Sequence, residues 1–207
     1  MKLYHHPFSA NARKALMTAA LLEIPVEKVL VDLPKGEQRS PEYRKLNPNG
    51  KVPVLVDGDL TLWESLAIMV YLADKHGETP LYPRDPVARA DVNRWMFWAA
   101  GQLSPQVGVL VLENVLKPRF GRGETDLARV HHAEGELTTL GHVLDAHLAG
   151  RTWISGDALT FADIAIACPL MHTAAARLPV QDLANLQGWF GRVQQLEAWK
   201  QTELPKD

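Results

Sequence analysis

The chain of 207 residues contains one cysteine, Cys168, and no long hydrophobic segment. A single cysteine excludes an internal disulfide, a Cys-x-x-Cys redox pair and zinc sites built on paired cysteines. No apolar stretch approaches the roughly 18 residues of a membrane-spanning helix, and the first residues lack the apolar region of a signal peptide. We therefore expect a cytoplasmic protein that binds no metal and does not enter the membrane.

The chain also lacks an excess of charge of either sign. Lys and Arg together number 22, Asp and Glu number 24, and the formal net charge is −2. Without a basic tail or run, the chain does not have the electrostatic pattern of a protein that binds nucleic acid or an anionic membrane. Apolar residues make up 46% of the sequence, as in ordinary globular proteins. We expect its ligands to be small molecules.

Residues 1–77 predict a small α/β domain with a four-stranded sheet. The predicted elements are a strand at Lys2 to His5, a helix that begins at Ser9 and stops at Pro25, a strand at Val26 to Leu33, a short helix opened by Ser40-Pro41, strands at Val52 to Val56 and Leu60 to Leu62, and a helix from Ser65 to Gly77. The order is therefore βαβ, a short helix, and ββα.

The hairpin and the helix after it predict a binding edge. Asp57-Gly58 has the residues of a two-residue type I′ turn, and Ser65 is a good N-cap. Pro53 donates nothing to a strand ladder, so the backbone near it is available to a ligand. Free N–H groups at a helix start bind carboxylates, and Glu64 beside them offers a partner for an ammonium group. This combination suits an amino-acid-like ligand, although Glu64 and Ser65 also fit a purely structural role at the helix start.

Residues 86–207 predict an all-helical domain, and the proline-bracketed residues 78–85 predict a linker. The first expected helix begins at Asp85-Pro86, bends at Pro105 and resumes toward Leu116. A second runs from Leu127 to Leu148 and is closed by Gly150, and a last one runs from Gly188 to Lys200. Thr160 and Asp163 form a variant capping box, with Asp in place of the usual Glu or Gln. This box indicates a helix start and not a catalytic site.

The whole chain resembles the cytosolic glutathione transferases. The likeness rests on Ser9, Asn11 and Arg13; on Asn47-Pro48-x-Gly50-Lys51-Val52-Pro53-Val54-Leu55; on Glu64-Ser65; and on Trp153-Ile154-Ser155-Gly156-Asp157 with Thr160-x-Ala162-Asp163. The resemblance implies a thioredoxin-like first domain with a cis bond before Pro53. It also implies that Val52, Pro53, Glu64 and Ser65 bind glutathione. Gln38 and Lys51 match positions that reach the glycyl carboxylate, with Arg39 adding charge, and solvated surface groups are the alternative for these side chains.

The resemblance assigns the catalytic role to Ser9, as in theta-like and related bacterial members of the serine type. Tyr4 lies inside the first strand, five residues before the serine position, and Cys168 lies in the wrong domain to act as in the beta class. Ser9 would donate a hydrogen bond to the glutathione sulfur and favour the nucleophilic thiolate. Asn11 is a second possible donor, and a simple helix cap is the alternative role for Ser9.

The same resemblance implies a homodimer in which glutathione attacks a small hydrophobic electrophile. The second substrate would bind between the domains, near the helix of Trp95 to Leu103. His5 and His6 are neighbours on a strand and point to opposite faces, so we expect no metal site there. Two other functions stay open: a non-catalytic glutathione-binding or scaffold protein of the same fold, and a glutathione-dependent isomerase.

Overall fold

The computed structural model describes residues 1–203, and these form two compact units. The first comprises Met1–Pro83 together with the described residues from Leu196 on, and the second comprises Arg84–Gln195. The sequence-based boundaries were 1–77, 78–85 and 86–207, so the segment after residue 195 groups with a different unit than we expected. Within residues 1–203, no helix is both long enough and apolar enough to cross a membrane.

The first unit contains a mixed four-stranded sheet in the order β2-β1-β3-β4. Its strands are β1 (Lys2–His5), β2 (Glu27–Leu30), β3 (Val54–Asp57) and β4 (Leu60–Trp63). β1 runs parallel to β2 and antiparallel to β3, and β3 runs antiparallel to β4. The predicted α/β class and the βαβ-ββα order are confirmed. The second and third strands are shorter than the sequence predicted.

Three helices accompany the sheet: α1 (Ala10–Leu21), α2 (Pro41–Leu46) and α3 (Ser65–His76). Ser9 and Ser40 cap α1 and α2, since each hydroxyl accepts a hydrogen bond from an amide three residues on, at 3.1 Å. Proline at the first position of α2 supplies helical φ and needs no hydrogen-bond partner there. A short 3₁₀ turn at Glu37–Arg39, which the sequence did not predict, precedes α2.

The turn of the β-hairpin differs from the prediction by one residue. Asp57 pairs with Leu60, so the two-residue loop is Gly58-Asp59 and not Asp57-Gly58. Of these two loop residues only Gly58 has positive φ, at 58°, which favours a type II′ turn over type I′. The Asp57 carboxylate instead accepts hydrogen bonds from the Tyr71 hydroxyl, at 2.7 Å, and from Lys75, and it thereby ties the hairpin to α3.

The sheet is packed on both faces. On one face a buried cluster comprises Ala12, Val31, Tyr43, Val52 and Val54. On the other, Leu3 and Leu55 face each other in register and are fully buried. α1, which supplies Ala12 to the first cluster, packs against α3. Burying a side chain of this size contributes about 1.5–3 kcal/mol. These contacts fix the register of β1 against β3, and with it the positions of the loops at the strand ends.

In the second unit, all the regular secondary structure of the described residues is helical. Its first helical stretch consists of α4 (Pro86–Trp98), α5 (Ser104–Val111) and α6 (Lys117–Phe120), joined by π-helical turns at Ala99–Leu103 and Leu112–Leu116. Pro105 and Pro118 each lack the N–H that would bond the preceding turn. The π-helical turns lie directly before these prolines, so the helix widens and continues past Leu116 to Phe120.

The remaining helices of this unit are α7 (Leu127–Leu148), α8 (Phe161–Leu170), α9 (Thr173–Ala176) and α10 (Ala184–Gln195). α7 has the predicted bounds, and Gly150 beyond its end has φ of 72°. The predicted last helix, Gly188 to Lys200, is wrong at both its start and its continuity. Leu196 is extended, with φ −60° and ψ 136°, and separates α10 from α11 (Glu197–Lys200).

α11 belongs to the first unit because it packs on α1. The guanidinium of Arg13 donates to the carbonyl of Trp199, at 2.7 Å, and to the hydroxyl of Thr202, at 3.2 Å. It also lies 3.6 Å from the centre of the Trp199 ring. Arg13 is only 4% exposed, and these contacts compensate the cost of burying its charge.

Candidate functional site

Four chain segments meet at one edge of the sheet. Tyr4 pairs with Val54, Val54 pairs with Trp63, and His5 pairs with Leu30. The chain therefore leaves β1, β2 and β4 and enters β3 at the same edge, which we call the site edge. α1 and α3 both begin there, because each follows a strand that ends there. All eight of the predicted site residues lie in these segments or in the 3₁₀ turn and α1 that follow them.

Ser9 occupies the N-cap of α1 in extended conformation, with φ −91° and ψ 109°. Its Oγ accepts a hydrogen bond from the Ala12 amide, at 3.1 Å, and its own amide donates to the His6 carbonyl, at 2.9 Å. The Ser9 hydroxyl proton has no acceptor among residues 1–203. The cap uses a lone pair of the oxygen, so the hydroxyl can still donate to a ligand.

Asn11 lies in the first turn of α1 and is exposed. Its Oδ1 accepts a hydrogen bond from the ammonium group of Lys14, at 3.1 Å. The Asn11 NH₂ group makes no hydrogen bond in the described part of the chain. At the start of α1, the side chains of Ser9 and Asn11 therefore each have a hydrogen-bond donor that is not used within residues 1–203.

The Val52-Pro53 peptide bond is cis, as the resemblance implied. The carbonyl before it is held firmly, since Lys51 O accepts from the Tyr43 hydroxyl, at 3.0 Å, and from Asn47 Nδ2, at 2.8 Å. In contrast, neither the N–H nor the carbonyl of Val52 bonds to any residue between 1 and 203. Val52 is buried, and its open backbone groups lie just outside the end of β3.

The backbone conformation and the surroundings of position 50 explain why this loop has a glycine there. Its φ is +60°, and a Cβ at this position would lie 2.9 Å from the carbonyl oxygen of Gln38. Only glycine tolerates both that conformation and that approach. The loop before Val52 thus packs against the 3₁₀ turn. There the Gln38 Oε1 is buried without a hydrogen-bond partner among described residues, while Lys51 and Arg39 are exposed.

The start of α3 corrects one prediction. Ser65 is the first residue of the helix and not its N-cap, which is Glu64. Glu64 has φ 74° and ψ 113°, and its side chain makes no capping hydrogen bond to the described chain. Positive φ in a residue other than glycine costs about 1–3 kcal/mol and is typical of functional positions. The hydroxyl of Ser65, which is 6% exposed overall, bonds to no other described residue. The first amides of α3 therefore remain open.

The other polar residues near the site edge are Tyr4, Tyr43, His5 and His6, and Nδ1 of His5 is buried without a hydrogen-bond partner among residues 1–203. Tyr4 packs edge-to-face on Tyr43, with ring centres 6.1 Å apart. Burial raises the pKa of Tyr43 and lowers the pKa of both His5 and His6, so these imidazoles are neutral at neutral pH. His6 Nδ1 accepts from the Phe8 amide, at 3.2 Å. Within residues 1–203, no group of three or more His, Cys, Asp and Glu side chains has the arrangement of a metal site.

The large side chains at positions 95–98, in the helix that the sequence connected with a second substrate, have mixed environments in the second unit. Trp95 and Met96 are buried in its core, where the Trp95 ring lies 4.5 Å from the ring of His147. Trp98 is half-buried, and Phe97 is 69% exposed. Two of the four side chains therefore have a packing role within the unit.

Sequence reasoning missed the side chains that hold the site residues in place. Tyr43 and Asn47 fix the loop before Val52, and Lys14 binds Asn11. Asn47-Pro48 was a turn signal, and Lys14 stands three residues after Asn11, a spacing at which helical side chains meet. Lys14 does not share the helix face of the apolar positions Ala12, Ala15 and Ala19, so the helical pattern did not indicate that its side chain is buried.

The comparisons with known proteins cover both parts of the chain. Residues 1–74 match the family profile described as glutathione S-transferase, N-terminal domain, and residues 109–197 match the C-terminal domain of the same family. The chain is 36% identical over 184 residues to glutathione S-transferase GstB of Escherichia coli, covering 88% of this chain and 87% of that protein. The chain belongs to the glutathione S-transferase family. The family resemblance seen in the sequence is thereby confirmed.

Solved structures of other glutathione transferases have the same fold. A glutathione S-transferase from Rhodospirillum rubrum superimposes with a TM-score of 0.88 at 29% identity, covering 100% of this chain and 92% of that one. A delta-class glutathione transferase from Nilaparvata lugens gives a TM-score of 0.83 at 31% identity, covering 98% and 92%. The glutathione S-transferase fold is therefore common to this chain and to relatives from bacteria and insects.

Proposed function

We propose that this protein is a glutathione transferase of the theta-like, serine type, which joins the thiolate of glutathione to a small hydrophobic electrophile. One observation carries the proposal: three segments with unused hydrogen-bonding groups meet at the site edge. They are the hydroxyl of Ser9, the backbone of Val52 and the start of α3 at Ser65. A tripeptide with a carboxylate at each end and a thiol in the middle matches this distribution of donors and acceptors.

The γ-glutamyl end of glutathione binds at the start of α3. Open amides, the positive end of the helix dipole and the Ser65 hydroxyl together favour its carboxylate. The exposed carboxylate of Glu64 stands beside them as a partner for the ammonium group. The positive φ of Glu64 supports this role, since strained backbone of this kind is typical of ligand-binding positions.

The cysteinyl unit of glutathione pairs with the backbone of Val52. Its N–H and carbonyl are open in the manner of an unpaired strand edge. The glycyl carboxylate then extends toward Gln38 and Lys51, with Arg39 nearby. The positive charges of the last two side chains favour that carboxylate, and they stay in solvent until it binds.

Ser9 donates a hydrogen bond to the sulfur and stabilises the thiolate. A hydrogen bond to a charged group contributes about 1.5–3 kcal/mol, and one pKa unit corresponds to about 1.4 kcal/mol. A thiol with pKa near about 8.5 would therefore fall by one to two units. The start of α1 acts in the same direction through its dipole. The reaction needs no metal, and glutathione is the substrate whose thiol supplies the chemistry.

The proposal includes a homodimer in the cytoplasm, with neither nucleic acid nor a membrane as a partner. The near-neutral charge balance of the chain supports small-molecule ligands over polyanions. Turnover of a generic aryl halide distinguishes a transferase from a protein of the same fold that only binds glutathione.

The ultraviolet absorbance of the glutathione thiolate, titrated against pH in the complex, tests the role of Ser9. We expect Ser9→Ala to raise the pKa of bound glutathione by about one to two units and to shift the pH profile of kcat/KM upward. Affinity at low pH, where the thiol is protonated, should change much less. Ser40→Ala is the matched control, because Ser40 caps α2 with the same 3.1 Å hydrogen bond away from the thiol. If only Asn11→Ala moves the titration, Asn11 is the donor and Ser9 is a cap.

A further inference from the structure

Lys14 is a fully buried cation in the helix that carries Ser9. Its side chain is 1% exposed, and its ammonium group donates to Oδ1 of Asn11 at 3.1 Å. An ammonium group has donors only, so it can bind only the oxygen end of an amide. Lys14 therefore decides the orientation of Asn11, and the NH₂ group of the amide must point away from it.

This orientation sets the polarity of the first turn of α1. The NH₂ protons of Asn11 are left without a partner in residues 1–203, two residues from the Ser9 hydroxyl. If the amide were turned over, its oxygen would be presented instead, and an oxygen acceptor repels a thiolate. The bond from a charged donor also polarises the amide, which makes its N–H groups stronger donors.

We propose that Lys14 is a positioning residue for the glutathione reaction, which holds Asn11 with its NH₂ group toward the thiol. Ser9 and Asn11 then both donate to the sulfur, instead of being alternatives. This inference rests on the proposed function and extends it, because Lys14 acts through Asn11 and does not touch glutathione.

Arg13 provides the matched control on the same helix. It is also a buried cation, and it is the neighbour of Lys14 in sequence, but its guanidinium binds Trp199 and Thr202. Arg13→Met and Lys14→Met each remove one buried positive charge from α1. Only the second also removes the hydrogen bond to Asn11.

The test is a mutant cycle read out by the pKa of bound glutathione. We expect Lys14→Met to raise this pKa by about half a unit to one unit, the range that one hydrogen bond supplies, and Arg13→Met to leave it unchanged. Asn11→Ala should raise it by a similar amount. The double variant of Lys14 and Asn11 should match Asn11→Ala alone, since residues that act through one another are not additive. Lys14→Arg, which keeps a cationic donor, should restore most of the effect.

Additive shifts in the double variant would overturn the proposal, because Lys14 would then act by its own charge. A Lys14→Met titration identical to that of the wild type would also overturn it. The proposed function fails separately: it is wrong if the wild-type complex forms no thiolate at neutral pH, or if neither Ser9→Ala nor Asn11→Ala changes the titration.

A measurement on the wild-type protein covers the case in which Lys14→Met does not fold. The side-chain amide signals of Asn11 in NMR spectra should shift as the bound thiol titrates. Those of Asn185, whose NH₂ bonds Asp145 at 3.1 Å in the second unit, should stay constant. If the Asn11 amide signals do not shift as the thiol titrates, the NH₂ group of Asn11 does not face the sulfur.

Discussion

The starts of α3 and α8 differ in whether the protein's own side chains bind the first amides of the helix. At α8 the Thr160 hydroxyl accepts from the Ala162 amide, at 3.3 Å, and the Asp163 carboxylate accepts from the Thr160 amide, at 2.8 Å. At α3 the N-cap residue, Glu64, supplies no capping side chain to the described protein, and the Ser65 hydroxyl has no partner there. Both helices begin with amides that lack a partner in the helix. In α8 side chains of the protein satisfy them, and in α3 they stay available.

The difference separates a folding signal from a binding site. The Asp163 carboxylate also accepts from the Ile154 amide, at 2.9 Å, and from the indole N–H of Trp189, at 2.8 Å. It is fully buried and joins three parts of the second unit. Glu64, by contrast, is exposed and strained, with φ of 74°. A satisfied helix start stabilises the fold, whereas an open one at a sheet edge is suited to a ligand carboxylate.

Replacing Asp163 by Ala should give the largest effect and should be confined to stability. The amides of Ile154 and Thr160 and the indole of Trp189 would lose their acceptor. Each unsatisfied buried donor costs about 1–3 kcal/mol, so we expect the free energy of unfolding to fall by about 3 kcal/mol or more. Urea unfolding measures the loss, and Asp157→Ala, at an exposed aspartate, is the control. A loss below about 1 kcal/mol would contradict the central role of Asp163.

Ser65→Ala should have the opposite profile, with a large effect on binding and a small one on stability. Losing a hydrogen bond to the ligand carboxylate should weaken glutathione binding by about 1.5–3 kcal/mol. Stability should change little, because the hydroxyl has no partner within residues 1–203. Thr160→Ala is the mirror-image control, with about 0.5–2 kcal/mol of stability lost and affinity retained. Calorimetric binding that is equal in wild type and Ser65→Ala would remove α3 from the site.

The free energy of unfolding that Asp163 contributes at the start of α8 should also depend on pH, and this is the smallest of the three effects. Burial raises the pKa of Asp163 above its ordinary value of 3.8, although four hydrogen bonds act against this. Between 3.8 and the raised pKa, the folded protein keeps a proton that the unfolded chain has lost. The free energy of unfolding contributed by this group therefore falls as pH rises through that window.

Asp163→Asn removes this titration and provides the test. The difference in the free energy of unfolding between the variant and the wild type should change across the acid window and level off above it. Glu113 gives a contrast of opposite sign, since Lys117 holds the pKa of its carboxyl below the ordinary 4.5. Its stabilising contribution is complete above 4.5 and is lost as pH falls through the folded pKa. Parallel curves for wild type and Asp163→Asn would contradict the shift.

The sequence predicted local features well because their signals are local. The caps at Ser9 and Ser40, the bounds of α7 and the box of Thr160 and Asp163 all depend on residues within four positions of each other. The α/β and all-helical division followed from periodicity, and the structure confirms it. The family resemblance located the segments of the candidate site, which the sheet register then brings to one edge.

The errors arose where distant contacts override a local pattern. Asp57-Gly58 is a strong turn pair, but pairing with Leu60 of β4 and the bonds from Tyr71 and Lys75 keep Asp57 in the strand. Ser65 is a good cap by type, but the chain leaving β4 reaches the helix through Glu64 at positive φ. The hydrogen bond from Trp189 to Asp163 joins residues 26 positions apart, and no pattern in the sequence predicts it.

The return of the chain end to α1 has a consequence for how the protein is made. Arg13 meets Trp199 and Thr202 across 186 and 189 positions of sequence. A ribosome synthesises the N-terminal residues first, so α1 emerges long before the partners of this guanidinium. The helix that carries Ser9, Asn11 and Lys14 therefore acquires these contacts only after the whole of the second unit, Arg84–Gln195, has been synthesised. A growing chain that has not yet reached Trp199 contains the sheet strands and α3 but lacks the contacts that satisfy the buried guanidinium in the helix proposed to hold the thiol.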